Sequence, residues 1–196
     1  MKKIYLLAAV LALSVNALAQ TEATTKDGKS VLLNSDGTWI YADCGRYIKT
    51  KTYDNGKTSV SSKENIQINN NGKNNGLSIL VLKGSSALIL SFGPADRAVK
   101  CVKEDAKMNI VFADGTTAGL THMKELDCEG NFVVFLGKDL GNAASLDKIR
   151  TKKIKKLTID FTETKNGKLA TDTQEFVFTD AEASLFINTV KCITDM

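Results

Sequence analysis

The chain has 196 residues, 43% of them hydrophobic and 24% charged, with 14 Gly, a single Pro and a formal net charge of +4. This composition excludes a disordered tail, a collagen-like repeat and a polytopic membrane protein, and the length suits one domain or one domain with a small appendage. The pI of about 8.8 falls short of the basic excess that marks a nucleic-acid binder, so no nucleic-acid partner is expected.

The first residues have the layout of an export leader. Lys2 and Lys3 form a positive start, Ile4 to Val15 an apolar run, and Ala17-Leu18-Ala19 a small-x-small cleavage site. The run is too short to span a bilayer as a helix, which takes about 20 residues. The expectation is a signal peptide over 1–19, cut near Ala19, and a periplasmic or secreted mature chain. No later run reaches membrane-span length, so no transmembrane segment is expected in the mature chain.

Turn signals recur after the leader. Asp27-Gly28, Asp36-Gly37, Asn55-Gly56, Asp114-Gly115 and Asn166-Gly167 each separate segments able to form strands, and such pairs supply the positive φ that tight hairpins need. Residues 20–42 read as a small hairpin unit in which Trp39, the only Trp, is the expected core anchor. Residues 43–76 are polar and rich in Asn, and read as a loop-rich connection with at most one edge strand.

The main domain is expected over 77–196. Leu77 to Leu82 and Ala87 to Phe92 are nearly continuous apolar runs, which predicts central strands covered on both faces. Residues 99–126 read as a long hairpin about Asp114-Gly115, and Asn131 to Gly137 as another buried strand. Lys155 to Thr162 and Thr173 to Phe178 flank Asn166-Gly167, and a two-residue turn there places Leu157 opposite Phe176. Leu146 to Lys152 is a candidate short helix. A C-terminal helix over 180–193 opens on the capping box Thr179-Asp180-Ala181-Glu182, with Leu185, Phe186, Val190 and Ile193 expected on its buried face.

Cys44, Cys101, Cys128 and Cys192 are four in number, and in an oxidising compartment an even count reads as two disulfides. Metal binding would call for close pairs such as C-x-x-C, which are absent, and four free buried thiols are the other reading, since Cys is often a small core residue. A two-residue turn at Asp114-Gly115 makes opposed residues sum to 229, the sum of Cys101 and Cys128. A three-residue turn with a glycine bulge sums to 228 and fits the hydrophobic pattern better, bringing Met108 to Leu120 and Ile110 to Ala118. That register leaves the cysteines one position out of step, which requires a second bulge or a frayed end. Either register makes Cys101–Cys128 the expected bond, and Cys44–Cys192 follows by elimination.

His122 is the only histidine, and no second histidine, G-x-S-x-G elbow or H-E-x-x-H accompanies it, so a packed strand histidine is the favoured reading. Carboxylates are plentiful enough for a two-carboxylate hydrolase, yet none can be paired from spacing alone. Lys148, Arg150, Lys152, Lys153, Lys155 and Lys156 form a basic run around Ile149 and Ile154. The run reads as a solvated passage with its isoleucines inward, or as a patch for an anionic glycan or lipid surface.

The stretch from Lys29 to Tyr41, with Val31-Leu32-Leu33-Asn34 and Asp36-Gly37-Thr38-Trp39, is similar to a "kkVlLn-DGTW-y" segment near the mature N-terminus of many exported Bacteroidetes proteins. Cys101-Val102-Lys103-Glu104, Ile110 to Gly115, Asp127-Cys128-Glu129-Gly130 and Lys153 to Leu157 resemble small members of the same set. The resemblance implies an exported bacterial protein and brings no catalytic residue with it. The expected fold is β-rich α+β, an antiparallel, hairpin-built sheet system with a C-terminal helix packed on it, a sandwich being one form. The expected function is a non-catalytic exported binding or structural module without a cofactor. Its rivals are a small glycosidase-like hydrolase and an anion binder acting through 148–156.

Overall fold

The computed structural model describes residues 21–26, 30–33, 37, 39–69, 76–95, 100–165 and 168–196. The expected leader over 1–19 and the turn residues Asp27, Gly28, Asp36, Asn166 and Gly167 lie outside the described residues. Strands β1 (Thr21–Thr24), β2 (Ser30–Leu33) and β3 (Trp39–Tyr41) form a three-stranded antiparallel sheet in that order. Strand alternation decides the fate of Trp39. Ile40, paired with Leu32, turns toward the core, so Trp39 and Tyr41 share the opposite face. Trp39 is 41% exposed, stands across from Leu33 and meets Tyr41 edge-on at 5.3 Å. The expectation of Trp39 as core anchor is corrected: Ile40 fills that role.

The polar stretch 43–76 is also more ordered than expected. A 3₁₀ turn (Ala42–Arg46) presents Cys44, and β4 (Ile48–Thr52), β5 (Thr58–Ser62) and β6 (Ile66–Ile68) follow. Lys, Ser and Thr occupy the solvent-facing positions and mask the alternation, while Ile48, Val60, Ile66 and Ile68 point inward. The hairpin closes at Asn55-Gly56, where Tyr53 N–H bonds Lys57 C=O, Gly56 N–H bonds Tyr53 C=O and Gly56 has φ 74°. This is a three-residue loop with the glycine in the left-handed region.

These strands join β7 (Leu77–Lys83), β8 (Leu88–Pro94) and β11 (Phe132–Leu136) in a six-stranded sheet of order β11-β8-β7-β5-β4, with β6 on β7. β7 and β8 are central, as expected, but are covered fully on one face only. Leu77, Ile79, Val81, Leu88, Leu90 and Phe92 are buried, whereas Ser78, Leu80, Leu82, Ile89 and Ser91 stay half-buried on the other face. The serines on that second face fit its partial hydration.

The four-stranded sheet has the order β10-β9-β12-β13, from β9 (Lys107–Phe112), β10 (Thr117–Thr121), β12 (Ile154–Lys165) and β13 (Lys168–Val177). Opposed residues in β9 and β10 sum to 228, with Met108 at Leu120 and Ile110 at Ala118, closed by the three-residue loop at Asp114-Gly115. Leu157 stands opposite Phe176. The register against β9 slips at Lys155, an inserted bulge residue, which is why Ile154 and Leu157 both face the core although they are three apart.

Helix α1 (Ala143–Thr151) packs on α2 (Asp180–Thr194), β10 and β11, and α2 packs on β5, β6 and β7. The capping box of α2 forms as expected: Glu182 N–H bonds the Thr179 hydroxyl and Thr179 N–H bonds the Glu182 carboxylate at 2.7 Å. Phe186, Val190 and Ile193 are buried, joined by Ala183, Ile187 and Thr189. Leu185 is 40% exposed, which corrects its expected place on the core face. Successive helical residues are about 100° apart, which puts Leu185 toward the margin of the buried face and away from its centre at Phe186, Val190 and Ile193.

Candidate functional site

The β9–β10 hairpin swells at its open end, and the swelling builds the candidate site. The ladder runs back to Ala106 and His122, where His122 N–H bonds Ala106 C=O. Both arms then leave it. Lys103 to Ala106 turns out with Asp105 at φ 59°, and Met123 to Leu126 bulges on the opposite arm. Asp tolerates the left-handed region better than most residues, which suits this tip. Pairing resumes at Val102 and Asp127, which exchange both backbone bonds at 2.7 and 2.8 Å. One arm spends three residues in its excursion and the other four, which shifts the sum of opposed residues from 228 to 229.

Cys101 and Cys128 are the next opposed pair, and they form a disulfide with Cα atoms 3.8 Å apart, closer than the usual separation of about 5.5–6 Å. The bond clamps the base of both excursions. Cys44 and Cys192 form the second disulfide, with Cα atoms 5.5 Å apart, and tie the 3₁₀ turn after β3 to α2. All four cysteines are thereby paired as expected.

His122 marks the corner where the edges of the two larger sheets meet. It is 2% exposed. Met123 N–H bonds Val133 C=O on β11, and Val133 N–H bonds His122 Nδ1 at 2.9 Å. The imidazole thus takes a donor that strand pairing would give to a carbonyl, and the junction between β10 and β11 ends there. With Nδ1 accepting, Nε2 carries the hydrogen and donates to Glu125 C=O at 3.3 Å. The ring packs on Phe132 with centroids 5.4 Å apart. Both nitrogens therefore serve the backbone, one of them fixing the excursion at Glu125. Replacing His122 with Ala strands a buried amide and is expected to lower stability by about 1–3 kcal/mol in a urea titration.

Beyond this corner the two sheet edges diverge and leave a cleft of about 610 Å³. Gly119, Leu120 and Thr121 of β10 form one wall, and Val134 with Leu140 and Asn142 the other. Glu104, Asp105, Lys124 and Glu125, from the two excursions, stand at its end. The excursion residues Met123 and Leu126 are 48% and 59% exposed, and Leu140 is 43% exposed. The side chains of Glu104, Asp105 and Glu125 make no ion pair or hydrogen bond among the described residues.

The two edges are finished differently. On β11 the Asn142 side chain donates to Phe135 C=O at 2.8 Å and accepts from Gly137 N–H at 2.9 Å, so it covers those two groups of that edge. On β10, residues 116, 118, 120 and 122 bond across to β9, which turns the backbone groups of Thr117, Gly119 and Thr121 outward. Lys148 Nζ covers Thr117 C=O at 2.8 Å. The outward groups of Gly119 and Thr121 have no partner among the described residues, and both residues line the cleft.

The basic run is dispersed. Lys148 is spent on Thr117, Arg150 pairs with Asp195, Lys152 with Asp114 and Lys156 with Glu175, each pair at 2.6 Å. Ile149 and Ile154 point inward as expected, and Lys153 and Lys155 point to solvent. Arg150 lines a separate cavity of about 390 Å³ with Lys83 and Lys138, while the other members of the run lie outside it.

The Asp114 carboxyl has a displaced titration. The Lys152 ammonium, then the Thr116 hydroxyl and amide, hold its carboxyl well below the usual carboxylate range. A depressed folded-state value means that this contribution is complete above the unfolded carboxylate range and is lost as pH falls through the folded value. Asp114→Asn is therefore expected to lie below the parent protein in stability by a constant margin from pH 8 to about pH 5. The margin should narrow below about pH 4. Chemical denaturation at pH 7 and pH 2.5 reads the difference, and an undiminished margin at pH 2.5 would contradict it.

Fold and cleft together define a class: a β-rich, two-disulfide domain with a C-terminal helix and one hairpin opened into a cleft. No family model matches the chain, and no curated protein or solved structure matches it. Sequence reading placed His122 in the second arm of the hairpin but missed the cleft residues around it. The one-residue mismatch between the 228 ladder and the 229 cysteine pair was the available signal, because it required an irregularity between residues 101 and 128.

Proposed function

We propose that the chain is an exported, non-catalytic binding module and that the cleft between β10 and β11 is its ligand seat. The observation that carries the reading is the meeting, in one concavity of about 610 Å³, of exposed apolar side chains with unengaged carboxylates. Ligand clefts commonly hold about 300–1,000 Å³ and combine apolar walls with a few polar groups. Met123 and Leu140 supply apolar surface that an occupant would remove from water. His122 serves as a strut, since both ring nitrogens are committed to the backbone, which suits a binding frame better than a proton relay. Two disulfides favour a compartment beyond the reducing cytosol, and the leader-like start and the similarity of residues 29–41 to exported Bacteroidetes proteins support the same location.

Nile red, an uncharged apolar dye, tests the seat. The oxidised protein is expected to enhance its fluorescence, and Met123→Ser combined with Leu140→Ser should reduce the enhancement several-fold while far-UV circular dichroism is unchanged. Equal enhancement by parent and variant would remove the cleft as the seat.

A further inference from the structure

We propose that the occupant of this cleft is an extended polypeptide segment with alternating basic and apolar side chains, added to β10 as a further strand of the four-stranded sheet. The inference rests on reading the cleft as a ligand seat and goes beyond it by naming the occupant.

Three independent features select this chemistry. The first is the strand edge. Gly119 and Thr121 each turn one N–H and one C=O toward the cleft, spaced as an incoming strand requires. Edge strands are normally blunted by side chains, charge or a covering element. Here His122 takes the Val133 amide of β11, Asn142 takes its Phe135 carbonyl, and Lys148 covers β10 at Thr117, whereas β10 keeps both groups of each of two residues open where it lines the cleft. A small apolar ligand would leave those four backbone groups unsatisfied as it excluded water from them, and a peptide backbone would satisfy them.

The second feature is space. The cleft leaves about 610 Å³ beside Gly119 and Thr121, and a β-carbon built on Gly119 meets no atom within 4 Å, so the sheet face next to that edge is also uncrowded. The third is charge. Three carboxylates, Glu104, Asp105 and Glu125, stand against one cation, Lys124, at the end of the cleft, and the carboxylates are free of protein partners among the described residues. Basic side chains on the incoming strand complement them, while apolar side chains on its other face meet Leu120, Val134 and Leu140. The Cys101–Cys128 bond fixes the base of both loops that carry the carboxylates, so the acidic end is presented with little freedom to lose on binding.

The test uses the full oxidised chain and a fluorescent seven-residue peptide alternating lysine and valine. Two N-methylated versions, blocking the amides of one edge or of the other, and a glutamate–valine peptide serve as comparisons. The lysine–valine peptide is expected to bind, to displace Nile red and to weaken as salt rises. At least one N-methylated version should bind at least about tenfold more weakly, since it cannot donate to β10. Thr121→Pro removes an outward amide at an edge position that tolerates proline and should weaken the parent peptide by a similar factor. Glu104→Lys with Glu125→Lys should abolish binding of the lysine–valine peptide.

Equal binding by all three lysine–valine peptides would overturn strand addition, and equal binding by the glutamate–valine peptide would overturn the charge assignment. Nile red binding that none of the peptides displaces would overturn this inference and leave the seat standing. Failure of both dye and peptide would remove both.

Discussion

Replacing Cys44 and Cys192 together by Ala is expected to lower stability by about 5 kcal/mol, as the chain-entropy model gives for a separation of 148 residues. Removing Cys101 and Cys128 in the same way should cost about 3.5 kcal/mol, because only 27 residues separate them. The longer bond restrains most of the unfolded chain, and in the folded state it fastens the turn after β3 to the helix that covers β5, β6 and β7. Small domains are stable by only about 5–15 kcal/mol, so the first variant should unfold at low urea while the second keeps a cooperative transition. Urea titrations without reductant give the comparison. A Cys44/Cys192 variant no weaker than the Cys101/Cys128 variant would contradict this account of the staple.

Phe186→Ala is the second large effect, with an expected loss of about 3–5 kcal/mol. Phe186 is fully buried on α2, its ring 6.4 Å from that of Phe178 at 77°, within the single core that all the larger elements share. Truncation leaves a cavity where helix and sheet meet, and close packing lets little of it collapse. Leu185→Ala, one residue earlier on the exposed side, should stay within about 0.5 kcal/mol. Thermal unfolding of the two variants separates them. A Leu185 effect as large as that of Phe186 would mean that the helix is rotated from the orientation described here.

Local chemistry made much of the fold legible. Asn55-Gly56 and Asp114-Gly115 marked two hairpins whose glycines do take positive φ. The Thr179 and Glu182 pair marked the start of α2. The Leu157 and Phe176 register followed from a turn position, and both disulfides followed from hairpin arithmetic and elimination. Features that depend on what covers a surface were not legible. Trp39 reads as a core residue by size, yet strand parity turns it outward because Ile40 must face the core. The stretch 43–76 reads as loop because its solvent positions are Lys, Ser and Thr, although alternate positions hold Ile48, Val60, Ile66 and Ile68. Composition reports the wet side of such strands as strongly as the dry side.

The cleft was hidden for a related reason. Its floor and rim come from residues that are unremarkable in sequence: a glycine, a leucine and a threonine of one strand, and acidic loops of the kind that usually only solvate. What makes them a site is the divergence of two sheet edges from the corner held by His122. That corner depends on an imidazole accepting a backbone hydrogen from a strand in the other sheet, a long-range contact that spacing cannot reveal. The basic run shows the converse. Six cations close in sequence read either as a solvated passage or as an anion patch, and the fold distributes four of them to Thr117, Asp195, Asp114 and Glu175.

Amide-resolved hydrogen exchange of the free, oxidised protein tests the open edge of β10 most directly. Ala118 and Leu120 amides, bonded across to β9, should exchange slowly, while those of Gly119 and Thr121 in the same strand should exchange orders of magnitude faster. Addition of the lysine–valine peptide should then slow Gly119 and Thr121 and leave Ala118 and Leu120 as they were. Four amides protected alike in the free protein would mean that the edge is already covered, and the cleft would not be a seat for an added strand.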